Sequence, residues 1–388
     1  MQRLILLVGW MLPTVLTGQA ITNTNLNHQY NPNCEIQVRM QVVRQPGQMQ
    51  VLYALETIST VAGLDAYSIK WEKRATFSDK TGQLLANDSI TSTSARGRTG
   101  RLTFPIPEKP WLLVLSVTNT ANPRTYLFPK LIEANYPTQG TIASNNLTVW
   151  NRFVSKNTTI TYQGAPGVSR ARVYAYKSDF PMASPPFVER ENRVDPLLVA
   201  DSLFWITPQT PVTLRTEGLY LIQEDTTQAQ GVAFRVENET YPKLSQIIDL
   251  APPLIFLTTR EEFERIAKAG SNKAEFDKVI IEITKDKERA KTFMRSYYRR
   301  IELANYYFTS YKEGWKTDRG MIYLIFGLPD DVTYNGAMEI WNYRSVDTRF
   351  TFVKNGSIYS PDNFILVRDK RFAEPWYSTI DLWRKSRF

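Results

Sequence analysis

Polar and apolar residues alternate strictly through Glu35-Ile36-Gln37-Val38-Arg39-Met40-Gln41-Val42. A period of two marks a strand with one face turned to a core. Similar runs cover residues 50–55, 67–72, 101–106 and 111–118, with turn signals such as Lys80-Thr81-Gly82 and Asn122-Pro123 between them. Short strands at this spacing predict a sandwich-like all-β domain over residues 35–138. A second series, at 158–162, 171–176, 212–215, 218–223 and 231–236, predicts another over residues 139–250. Gly164-Ala165-Pro166-Gly167 and the proline-rich stretch 181–186 supply its breaks.

Beyond Leu250-Ala251-Pro252-Pro253 the period lengthens to that of a helix. Thr259-Arg260-Glu261-Glu262 has capping-box spacing, with Phe263, Ile266 and Ala267 on one face behind it. Asn272-Lys273-Ala274-Glu275 reads as a second helix start, with Phe276, Val279, Ile280 and Ile283 following. A long helix over about 286–311 aligns Ala290, Phe293, Met294, Tyr297, Ile301, Ala304 and Phe308 in one stripe. Strands are then predicted at 321–326, 339–344, 349–353 and 364–367, with a tight hairpin at Lys354-Asn355-Gly356-Ser357. A last helix opens at Glu374-Pro375 and carries Trp376, Ile380 and Trp383 on one face. The expected fold class is therefore multidomain. Two tandem all-β sandwich-like domains precede an α+β domain at 255–388, with helices first and then a small, mostly antiparallel sheet.

The N-terminus changes the picture of where such a chain works. Met1-Gln2-Arg3 leads into an apolar run to Leu16 and then Thr17-Gly18-Gln19-Ala20, the parts of a secretory signal. Residues 1–20 are expected to be a signal peptide cleaved after Ala20, and 21–34 a polar flexible segment. No later apolar stretch reaches the roughly 20 residues of a membrane-spanning helix, so no transmembrane segment is expected in the mature chain.

Candidate chemistry is sparse. Cys34 and His28 are the only cysteine and histidine, which rules out an intramolecular disulfide and a Cys/His zinc site. A nucleophile-histidine arrangement would have to use His28, in the segment expected to be flexible. Neither a Walker A pattern nor a dinucleotide fingerprint is present, and no cofactor or metal is expected. Glu302, Asp318, Asp330, Asp331 and Glu339 are the nearest candidates for a carboxylate pair of the kind glycan hydrolysis needs. The net charge of +9, from 47 basic and 38 acidic residues spread along the chain, favours an anionic glycan, lipopolysaccharide or acidic protein face. Without a basic run or a recognised module, nucleic acid is not an expected partner.

The segment Glu313-Gly314-Trp315-Lys316-Thr317-Asp318-Arg319-Gly320 follows the long helix directly. Gly314 suits a helix C-cap, Trp315 can pin the loop with its ring, and Thr317 and Asp318 can bond nearby amides. Together with Arg319 and Gly320 they read either as a latch between helix and sheet or, if Trp315, Asp318 and Arg319 are exposed, as a recognition patch. Trp376, Ile380 and Trp383 form a candidate partner-docking face. Flanked by Tyr297-Tyr298-Arg299-Arg300-Ile301, Ala304-Asn305 and Phe308 before, and by residues 323–330 and Glu339-Ile340-Trp341-Asn342-Tyr343 after, this segment resembles the GWxTD domain. That family is found mostly in secreted or envelope proteins of Bacteroidota, and the resemblance covers about 257–388. It implies an exported protein of the periplasm, outer membrane or cell surface, and no defined activity. The expectation is a non-enzymatic interaction or scaffold subunit with an envelope or outer-membrane protein partner. The alternative is a carboxylate-dependent envelope glycan hydrolase or a glycan-binding protein.

Overall fold

The computed structural model describes residues 18–59, 62–122, 124–177, 179–189 and 198–387. Most of the expected signal peptide, and Pro123 of one predicted turn, lie outside the described residues.

The alternating stretch at 35–42 opens a strand, Ile36–Gln45, at one edge of a four-stranded antiparallel sheet completed in order by Gln48–Thr57, Gly97–Pro105 and Asp88–Thr93. A second antiparallel sheet runs Gln83–Leu85, Tyr67–Arg74, Trp111–Asn119, Thr125–Ile132. Val42, Met49, Val51 and Leu102 from the first meet Trp71, Leu113, Leu115 and Phe128 from the second in one core. Trp111–Asn119 is apolar on both faces for a reason: Leu112 and Val114 point away from that core and into the core of the C-terminal part.

Residues 141–237 repeat this plan with a four-stranded and a five-stranded sheet. The larger one is ordered Phe153–Ser155, Val232–Glu237, Gly218–Gln223, Ala171–Tyr176, Ser202–Ile206, and the pairing of its first two strands is parallel. Ile142, Ile160, Tyr162, Val173, Tyr220, Ile222 and Phe234 fill the space between the sheets.

The C-terminal part places helices before strands. The capping box forms, with Thr259 accepting from the Glu262 amide at the start of Arg260–Ala269, and Asn272 caps Lys273–Thr284. The long helix is Lys287–Phe308. Four antiparallel strands follow in sequence order, Asp331–Asn335, Met338–Tyr343, Thr348–Lys354 and Phe364–Leu366, and helix Ala373–Arg384 closes the chain.

Three expectations fail. Residues 321–326 are not a strand; they belong to the helix Asp318–Phe326, whose N-cap Thr317 accepts from the Gly320 amide. Met321, Ile322, Tyr323, Leu324 and Ile325 are all buried, so the helix is apolar all round and shows no period by which to tell it from a buried strand. The tight hairpin at 354–357 is also absent. Lys354 pairs with Phe364 across a loop of residues 355–363, and Gly356 serves close approach, since a Cβ there would lie 2.3 Å from the Pro361 carbonyl oxygen. The tight turn lies instead at Asn335-Gly336-Ala337-Met338, where Gly336 has φ of 63° and Asn335 pairs with Met338.

The third correction concerns the segment 21–34, which is ordered and packed. Short 3-10 turns form at Ile21–Asn23 and Asn27–Tyr30, with Ile21 and Leu26 fully buried and Tyr30 nearly so. The Leu26 amide donates to the Val332 carbonyl at 2.7 Å, and the Asn25 side chain accepts from the Val332 amide at 3.0 Å. Three isolated apolar residues drive this docking, too few to register as a periodic pattern.

Candidate functional site

The Gly-Trp-Lys-Thr-Asp segment is built by close backbone approach. Below the end of the long helix, Gly314 presses on the helix backbone so tightly that a Cβ would sit 2.1 Å from the Ala304 carbonyl oxygen. Asn305, fully buried, accepts from the Trp315 amide at 3.1 Å and donates to the Pro242 carbonyl at 3.0 Å. The Thr317 hydroxyl donates to the Gly314 carbonyl at 2.7 Å while accepting from the Gly320 amide at 3.0 Å. A Cβ on Gly320 would stand 1.8 Å from the Gly314 carbonyl oxygen, so both glycines are demanded by space.

Trp315 is 4% exposed, with its ring edge-on to Phe256 at 6.1 Å. A recognition patch centred on an exposed Trp315 is therefore not what the chain presents. Asp318 accepts from the Leu366 amide at 2.9 Å and pairs with Arg368 at 2.6 Å, tying the helix start to the last strand. Arg319 reaches the other way. It pairs with fully buried Glu339 at 2.9 Å and donates to the Asp362 carbonyl at 2.9 Å. Glu339 also accepts from the Tyr30 hydroxyl at 2.5 Å and from the Trp341 indole at 2.7 Å, so the N-terminal segment enters the same buried network. Burial opposes charge on Arg319, but Tyr30 and Glu339 outweigh it and hold the guanidinium firmly protonated.

The candidate carboxylates are each held by basic or amide groups, Asp330 and Asp331 by the same residue, Arg344. Glu302 pairs with Arg299 at 2.8 Å, Asp331 with Arg344 at 2.8 Å, and Asp330 accepts from the Arg344 amide at 2.8 Å. The proposed docking residues are corrected in the same way. Trp376 is 2% exposed and Trp383 fully buried, with its indole donating to the Ile325 carbonyl at 2.9 Å, and Ile380 is part-buried. These three are the inner face of the last helix; Tyr377 and Leu382 lie on its exposed side.

Asp362 is structurally central yet is not among the residues the sequence singles out, and His28 is expected from the sequence in a flexible segment. Asp362 pairs with Lys130 at 2.8 Å and Arg152 at 3.6 Å and accepts from the Tyr136 hydroxyl at 3.1 Å. Burial would raise its pKa, but Lys130, Arg152 and Lys354 together hold it well below the usual carboxylate range. His28 is buried, its Nε2 3.0 Å from the Leu127 carbonyl oxygen, and burial lowers its pKa to about 4. A cleft of about 560 Å³ opens beside Asp362 and Arg152, between Arg39 and Met40 of the first sheet and Tyr306 and Tyr307 of the long helix. Its lining cations are paired, Arg39 with Glu56 at 2.5 Å and Arg299 with Glu302 at 2.8 Å. Only the folded register brings together groups so far apart in the chain.

Comparison with known proteins agrees with the C-terminal geometry. Residues 218–385 match the family model of the GWxTD domain. The match begins at Gly218, the first residue of strand Gly218–Gln223 and well ahead of residue 255. Arg235 of the neighbouring strand donates to the Tyr311 carbonyl at 3.0 Å, and the carbonyl of Pro242, in the turn after that strand, accepts from Asn305 at 3.0 Å, so this stretch braces the motif loop. No curated protein matches the chain. Among solved structures, a tandem of titin immunoglobulin domains shares 11% identity, covering 53% of this chain and 96% of that one, with a TM-score of 0.17. The two immunoglobulin domains of DIP-gamma share 10% identity over 52% of this chain and 96% of theirs, with a TM-score of 0.16.

Proposed function

We propose that this chain, whose residues 218–385 carry a GWxTD domain, is an exported envelope protein that acts as an interaction or scaffold subunit beside an outer-membrane assembly. Its first two parts are read as two sandwich domains that space and orient the third. The observation that carries this reading is the use of the motif itself. Gly314, Thr317, Asp318, Arg319 and Gly320 are committed to internal contacts that join helix, sheet and N-terminal segment, which gives the motif a structural task. A chain so braced is suited to holding a surface in place.

The surface best placed for a partner is the strand Ser202–Ile206, at the end of the five-stranded sheet. Leu203 and Trp205 are 51% and 49% exposed there, and an edge strand with such side chains is a template for strand addition by a protein partner. A second reading, contact with an anionic glycan or lipopolysaccharide, draws on Arg170 and Arg172, whose guanidinium groups lie 4.4 and 5.4 Å from the Trp205 ring centre. The test is a native pull-down of the tagged mature protein from gently solubilised envelope, alongside Trp205→Ala. A partner protein at fixed ratio with the wild type, lost with the variant, is the expected result. A wild type that retains only anionic glycan favours the second reading, and a chain that binds nothing yet hydrolyses an envelope glycan contradicts both.

A further inference from the structure

We infer that the outer edge of the strand Ile36–Gln45 is a docking site for an extended peptide of a partner protein, which enters the cleft beside Arg39 and Met40 and adds one strand to the first sheet. The site is separate from the Ser202–Ile206 edge and does not depend on it.

Ile36–Gln45 lies at the end of its sheet and pairs along its length with Gln48–Thr57 on one side only. Antiparallel neighbours alternate between pairs that exchange hydrogen bonds and pairs that do not, so the backbone groups of every second residue point out of the sheet. Two bonds fix the phase. The Ile58 amide donates to the Glu35 carbonyl at 3.0 Å, which turns the odd-numbered residues inward, and the Arg44 amide donates away from the sheet to the Thr138 carbonyl at 2.8 Å, which turns the even-numbered ones outward. The N–H and C=O of Val38 and Met40 therefore face outward, and among the described residues none of these groups has a hydrogen-bond partner. Gln37, Val38, Arg39 and Met40 all line the cleft of about 560 Å³. A strand viewed on its face presents alternate residues, so consecutive ones in the wall mean that the strand offers its edge. Further along the same edge Arg44 already takes a neighbour, Gln139, in parallel pairing.

The side chains flanking the edge set what the peptide carries. On the Val38 and Met40 side, a second cavity of about 240 Å³ has Leu112, Phe128 and Phe364 among its walls, a place for an apolar side chain. On the opposite side stand Gln37, Arg39 and Glu56, and Arg39 pairs with Glu56 at 2.5 Å, so the charge there is already balanced. The occupant is thus a peptide whose side chains alternate between apolar and polar, without a run of like charge.

The test is selection of random heptapeptides displayed on phage against the purified protein, followed by binding of an enriched synthetic peptide to Met40→Pro and Met40→Ala. Proline there deletes one outward N–H and leaves the ladder to Gln48–Thr57 in place, while alanine shortens the side chain and keeps the donor. The expected result is an enriched peptide of alternating pattern whose affinity falls at least about tenfold in Met40→Pro and less in Met40→Ala. Peptides that bind both variants alike, or a selection that enriches none, overturn the inference. Residue-by-residue amide exchange on the wild type with the enriched peptide decides the matter even where Met40→Pro does not fold. The Val38 and Met40 amides should slow, with those of Gln37 and Arg39, already bonded within the sheet, unchanged; exchange that shows no such alternation overturns the inference as well.

Discussion

His28 is the single histidine of the chain, and its ring is enclosed by Tyr126 at 5.3 Å and Phe128 at 4.9 Å. Burial disfavours the imidazolium, with the nearby Arg124 charge acting in the same sense, and the folded pKa falls to about 4. This lies below the unfolded value of about 6.5. The stabilising contribution of neutral His28 is therefore full above about pH 6.5 and is lost as pH falls toward 4. A shift of this size corresponds to about 3 kcal/mol. Denaturant unfolding of wild type and His28→Phe at pH 7, 5.5 and 4.5 should show wild type losing up to that amount relative to the variant on acidification. An unchanged difference across the three pH values would mean that the ring is solvated in the native state.

Secondary-structure elements show how much could be read in advance. Strands with one face in a core, such as Ile36–Gln45, and helices with explicit caps, such as Arg260–Ala269, carry their signals within one short window. The helix Asp318–Phe326 does not, because burial on every side erases its period. The Arg319–Glu339 and Asp318–Arg368 pairs were also hidden, since each depends on how strands and helix align after folding. The N-terminal segment is the largest miss. Ile21, Leu26 and Tyr30 sit in the core of the C-terminal part, and Tyr323 donates to the Tyr30 carbonyl at 3.1 Å. Replacing Leu26 with Ala should cost about 2 to 5 kcal/mol, the range for deleting a buried leucine side chain. Amide exchange should rise in the strand Asp331–Asn335 that the segment covers. A loss below about 0.5 kcal/mol would mean that the segment is held only loosely.

Across the whole molecule, the parts meet through polar contacts laid over a shared apolar seam. Leu112, Val114 and Leu127 of the first part join the core that contains Trp315 and Trp383, while Asp362 gathers Lys130 and Arg152, and Lys354 pairs with Glu133 at 2.8 Å. The motif stands where these constraints converge, one side chain reaching the last strand and the next reaching the N-terminal segment. If it is a latch, weakening it should loosen the elements it joins. If it is a recognition patch, weakening it should remove a partner and leave the fold intact. Hydrogen exchange on Asp318→Asn, read peptide by peptide against wild type, separates the two most directly. The account predicts faster exchange in residues 313–326 and 364–368, spreading to the N-terminal segment, with the strands around Val51 and Leu115 unchanged; unaltered exchange throughout, together with lost partner binding, would contradict it.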